Sequence, residues 1–158
     1  MSFTTLAFAV VAFLVFLLAW RARRPAGAMI DADDPAMQAA KAEASATLPI
    51  FWAAFDARDP ADAEFSLKFD LHRGEGVAEQ IWALDIERDQ GRIFGILGNR
   101  PRDADHAEGD RVEIDPAHIV DWCFFRCGVA QGHFTTKAMF PHMPPKMVAE
   151  GKAALGWA

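Results

Sequence analysis

In a chain of 158 residues, 22 acidic against 16 basic side chains leave a formal net charge of −6. That balance argues against a nucleic-acid partner, because phosphate binding runs on Lys and Arg that release counterions. Two cysteines are too few for a disulfide framework or a zinc ribbon, and the length suits one ordinary domain after an N-terminal segment of roughly 30 residues.

Phe3 to Trp20 runs without a charge and as a helix would span about 27 Å, close to the hydrocarbon thickness of a bilayer. Arg21, Arg23 and Arg24 follow it, so the positive-inside rule puts the remainder on the cytoplasmic side. The reading is a single-pass inner-membrane anchor over residues 1–20, with the lipid bilayer itself as a partner, and a linker over 21–30. A signal peptide cleaved near Ala26-Gly27-Ala28, which would leave the domain in the periplasm, is the alternative. Against it stand the missing basic n-region, the long apolar run and the charges on the wrong flank.

Residues 31–158 read as a single α+β domain. Asp34-Pro35 supplies an N-cap followed by proline at the first helical position. Met37, Ala40, Ala44, Leu48, Phe51 and Phe55 then recur at threes and fours as an amphipathic helix. Pro49 predicts a kink near Ser45 to Pro49, or two helices in succession. The period changes to two where Phe65, Leu67, Phe69 and Leu71 alternate with Ser66, Lys68, Asp70 and His72, a strand with one wet face. Arg73-Gly74-Glu75-Gly76 and Asp89-Gln90-Gly91 bound two further strands of an antiparallel meander, Glu79 to Arg88 and Arg92 to Gly98. Apolar residues at both parities mark these two as central and doubly covered.

Asn99 to Glu108 reads as a loop, and a short strand through Val112 and Ile114 ends at Asp115-Pro116. His118 to Lys137 reads as two strands around a glycine-bounded connection, with Asp121 and Trp122 on one and Thr135, Thr136 and Lys137 on the next. Prolines then lead into a short C-terminal helix in which Met147, Gly151 and Leu155 share a face. The expected fold is therefore an amphipathic helix packed on an antiparallel sheet of about six strands, preceded by the transmembrane helix and followed by the short helix. The second sheet face is either covered by the C-terminal segment or left open as an aromatic surface for a protein partner or small ligand. On one extended strand Cys123 and Cys127 lie about 13 Å apart, too far for a disulfide.

Glu79-Gln80-Ile81-Trp82, Gly95 through Asn99 with Pro101, Gly109-Asp110 with Val112, Ile119 through Trp122, and Gly132 through Thr135 with Lys137 occur in an order that resembles the bacterial domain-of-unknown-function family 2314, over about residues 34–140. The resemblance implies a shared fold and brings no established activity. It also implies two departures: Gln80 stands where the family often has His, and Gly132-His133 with Lys137 stands for its usual Gly-Gly and later Arg. Lys137 keeps the charge of that Arg and loses its bidentate fork.

The sharpest chemical candidate is Asp121, a carboxylate within an apolar strand that must be paired, hydrogen-bonded or used. One pattern makes it structural, through backbone donors or an ion pair with Lys137 or Arg126. The other makes an acid/base couple of Asp121 and Glu79, with His133 as base beside Thr135. Trp82, Asn99, Trp122, Thr136 and Lys137 complete the set as ligand-binding candidates. His118, Asp121, Cys123, Cys127, His133 and His142 are metal-ligand types without metal-ligand spacing, so no metal site is expected. No phosphate loop, dinucleotide fingerprint or nucleophile elbow calls for a cofactor. The reading is a non-catalytic interaction or ligand-binding module tethered to a bacterial membrane; the alternative is a hydrolase using Asp121 or Glu79 with His133 and Thr135.

Overall fold

A computed structural model describes residues 34–71, 79–102 and 105–157. The Phe3–Trp20 segment, the linker and the Arg73–Gly76 turn lie outside these residues. No helix among the described residues is long and apolar enough to cross a membrane.

The first helix, α1 (Pro35–Ala57), starts where expected: the Asp34 carboxylate accepts from the N–H groups of Ala36 and Met37, with Pro35 at the first helical position. Met37, Ala40, Ala44, Phe51 and Ala54 are its buried stripe. Pro49 does not divide it into two helices; one helix runs through the proline. Packing of the stripe on the sheet holds the turn that propensity alone would break.

Six strands follow: β1 (Asp62–Leu71), β2 (Glu79–Asp89), β3 (Arg92–Leu97), β4 (Arg111–Ile114), β5 (Ile119–Arg126) and β6 (Val129–Gly132). They form one antiparallel sheet in the order β4-β3-β2-β1-β5-β6. The meander through β4 is thus local in sequence, while β5 returns to the free side of β1. This corrects the expectation of β2 and β3 as the central pair: β1 and β2 lie at the centre, and β3 is one strand from the edge. Both parities of β3 are buried all the same at Ile93, Phe94 and Gly95. Two short helices complete the domain, α2 (Phe134–Met139) and α3 (Pro145–Ala154).

The face of the sheet under α1 is the main core. Leu67, Phe69, Ile81, Ala83, Leu97, Trp122 and Phe124 meet Ala44 and Phe51 there. Phe65 stacks on Phe124 at 5.1 Å between ring centroids, and the Trp122 indole N–H donates to Ala44 O at 3.0 Å. The opposite face of β1 is not wet as the alternation predicts: Ser66 and Asp70 are buried. The C-terminal segment covers part of that face, where Cys123, Ala130 and Leu155 form a second small core with Trp82, Phe125, Phe140 and Trp157 around it. Leu155 O accepts from Ala130 N and the Trp157 indole donates to Ala130 O, which fastens the segment to edge strand β6.

Candidate functional site

Thr135, Thr136 and Lys137 are not on a strand opposite Asp121. Strand β6 stops at Gly132, and the chain turns through two consecutive left-handed residues, Gly132 (φ 80°) and His133 (φ 55°), into α2. A Cβ at Gly132 would run into Trp122 O, so only glycine fits where the turn crosses β5. The His133 N–H donates to that same Trp122 O. Helix α2 therefore leaves the sheet beside β5 and packs chiefly against α1.

Asp121 holds the start of this helix. Its Oδ1 accepts from Trp122 N at 2.8 Å and Phe134 N at 3.1 Å; its Oδ2 accepts from Thr135 N at 2.8 Å and Thr135 Oγ1 at 2.6 Å. The carboxylate is fully buried, as is Thr135. Half-buried Lys68, beside Asp121 in the β1–β5 register, donates from Nζ to Thr135 Oγ1 at 3.2 Å. Burial pushes the Asp121 carboxyl up, against the pull of its bonds from Thr135 and Trp122 and the charge of Lys68. Burial lowers Lys68, while Asp121 acts to raise it. Four donors converge on Asp121, which is the arrangement of a carboxylate, since an added proton would have to displace one of them.

Beside this network lies an aromatic cluster. The His133 ring sits 4.8 Å from Trp82 and 6.1 Å from Trp157, with Nδ1 3.1 Å from Thr136 Oγ1. Burial, then the charges of Lys68 and Lys137, lower its pKa to about 3. Lys137 is exposed and lies over the rings of Trp157 and Phe134, at 4.8 and 5.1 Å.

The remaining candidates are elsewhere. Glu79 pairs with Leu71 at the far end of β1 and β2 and accepts from Arg102 N at 2.7 Å. It shares strand parity with the core residues Ile81 and Ala83, whereas Trp82 and Lys68 lie in register with Asp121, so the proposed couple with Asp121 is not assembled. Trp122 points into the main core, 3 % exposed, away from any ligand. Asn99 follows Gly98, whose N–H donates to Trp82 O; it lies past the end of β3. Arg126 is paired with Asp62 rather than with Asp121, and the charged neighbour of Asp121 is Lys68 in place of Lys137.

A family model described as an uncharacterized protein conserved in bacteria, DUF2314, matches residues 34–157. The chain belongs to the DUF2314 family. The match runs past Phe140 and takes in α3 and Trp157, so the segment that closes the second face is part of the DUF2314 domain. A putative ankyrin repeat protein of Neisseria meningitidis serogroup B is 35% identical over 81 residues, which cover 51% of this chain and 32% of that protein. No solved structure gives a significant match.

Sequence reasoning missed Lys68 and Trp157 as members of this candidate cluster. Lys68 occupied an ordinary polar slot in an alternating strand, and nothing local distinguishes it. Trp157 left a signal, a large aromatic after Leu155-Gly156 at the end of a polar helix. Both cysteines are free, Cys123 buried and Cys127 exposed in the β5–β6 turn. Burial raises the Cys123 thiol well above its ordinary range, which removes it as a nucleophile at neutral pH. Among the described residues no group of three or more His, Cys, Asp or Glu side chains could hold a metal ion. A separate cavity of about 400 Å³ lies between the end of β1 and β4, lined by Asp70, His106, Arg111, Asp115 and His118 among others; of the residues weighed as metal-ligand types from the sequence, His118 lines it.

Proposed function

We propose that this DUF2314 protein is a non-catalytic interaction and ligand-binding module held at the inner face of a bacterial membrane by Phe3 to Trp20. The observation that carries this reading is the saturation of Asp121: four donors occupy its two oxygens at the buried start of α2. An acid/base catalyst needs a free lone pair within reach of substrate. Thr135, the nucleophile of the alternative hydrolase, is itself fully buried and its hydroxyl donates to Asp121. The relative's printed name, a putative ankyrin repeat protein, suits the interaction side of the reading. The apolar run and the three arginines that follow it support the tether.

The full chain in detergent is expected to leave p-nitrophenyl acetate and p-nitrophenyl phosphate unhydrolysed. Turnover that disappears in Thr135→Val or His133→Gln, with the melting curve kept, would establish the hydrolase instead. For the tether, a reporter active only in the periplasm and fused after Ala158 is expected to stay silent; activity there places the domain outside.

A further inference from the structure

We propose that Trp82, His133, Lys137 and Trp157 form a binding site for a small aromatic carboxylate, with Trp157 as the movable wall that covers it. This deepens the module reading above and rests on it. His133 carries three costs at once. It is a non-glycine residue at φ 55°, a conformation that costs free energy and persists where the surroundings impose it. The residue is 4 % exposed. Its Nε2 is buried with no hydrogen-bond partner, although a buried polar atom left unpaired is destabilising. A residue that is packing alone would shed these costs by becoming glycine or an apolar side chain.

The surroundings specify what would satisfy that nitrogen. In the tautomer that has Thr136 Oγ1 donating to Nδ1, on which the proposal is built, the ring proton lies on Nε2 as a donor awaiting an acceptor. Lys68 already faces Asp121, whereas exposed Lys137 lies over the neighbouring Trp157 ring, so an anionic acceptor would be met by Lys137. Lys137, exposed and 4.8 Å from the Trp157 ring centroid, can turn its ammonium from the indole to a carboxylate. The indoles of Trp82 and Trp157 flank the imidazole, which calls for a planar apolar body on the ligand. Access requires Trp157 to move. It is half-buried, follows Gly156 at φ 69°, and its side chain is tied by one hydrogen bond, to Ala130 O at 2.8 Å.

The test uses the full chain in detergent micelles with indole-3-acetate and its uncharged analogue indole-3-acetamide. Indole-3-acetate is expected to shift the His133 ring-nitrogen and Trp157 indole N–H resonances saturably, with the amide binding about tenfold or more weakly. Lys137→Ala should abolish the preference for the acid. His133→Asn keeps a residue that tolerates the left-handed conformation, so it should fold and lose binding. Resonances that stay put at millimolar indole-3-acetate, equal affinity for acid and amide, or an unchanged preference in Lys137→Ala each overturn the site. Those outcomes leave the non-catalytic reading to its own hydrolysis test, which does not involve this ligand.

Discussion

The outer face of the sheet has two halves that began from the same alternation and ended differently. Over β2, β3 and β4, Phe94 faces outward and is covered by two guanidinium groups, Arg92 at 4.8 Å and Arg111 at 3.8 Å from its ring centroid. Those arginines pair with Glu113 and Glu87 in turn, so the charged side chains act as the lid and stay in water. Over β1, β5 and β6 the C-terminal segment around Leu155 and Trp157 does the covering, with the start of α2 docked on Asp121 beside it, and the polar residues there lose their water. Lys68, Asp121 and His133 lie on this side with Thr135 at the start of α2, and there a carboxylate collects four donors and an imidazole is held neutral. The difference teaches that a polar residue on a strand acquires strong interactions, and the means to recognise a ligand, only where a second layer desolvates it.

The comparison can be broken first at its shared reference, the main core. Trp122→Ala should cost about 3–5 kcal/mol by leaving a cavity and removing the indole bond to Ala44 O, read as a lowered denaturant midpoint of the full chain. Close behind, Asp121→Asn should cost about 3 kcal/mol. It sets an amide N–H₂ against N–H donors and takes from Lys68 the carboxylate that faces it across β1 and β5. If Asp121→Asn melts with the wild type, the network under the second layer is not structural and the contrast between the halves fails.

A smaller effect is a pH slope. His133 titrates at about 3 in the folded chain and near 6.5 when unfolded. Because its folded pKa is depressed, the unfolded chain binds the proton first, and stability is lost as pH falls from about 6.5 toward 3. The slope is about 1.4 kcal/mol per pH unit. Asp121 has the opposite sign: its raised folded pKa favours the folded state as pH falls, in a window that begins nearer the carboxylate range. Melts at pH 7, 6 and 5 should show the His133 slope in the wild type and its absence in His133→Asn. Smallest of all, Arg111→Ala in the open half should change stability by no more than about 1 kcal/mol, as an exposed pair does, and that change should shrink in high salt. A larger loss would mean that the arginine lid is a layer in its own right.

Much of the frame was legible because it obeys local rules. Asp34 and Pro35 mark the start of α1, the threes and fours of Met37 to Phe55 mark its buried stripe, and the alternation of Leu67, Phe69 and Leu71 marks the inward face of β1. Each follows from helix or strand periodicity within a few residues. Phe134 to Lys137 was misread for the same reason. Phe and Thr favour strands, and a six-residue helix has too few internal bonds to form by propensity. It exists because Asp121, thirteen and fourteen positions earlier, supplies the acceptor for its first N–H groups. Asp121 stood out in the sequence because a carboxylate inside an apolar strand announces that something must satisfy it. That Thr135 joins it while Glu79 does not, and that Lys68, His133 and Trp157 complete the cluster, was decided by strand order and by the C-terminal segment folding back over β6. Periodicity states which side of a strand a residue faces; only the packed layers decide whether that side meets water, and hence whether its polar groups are solvated or bound.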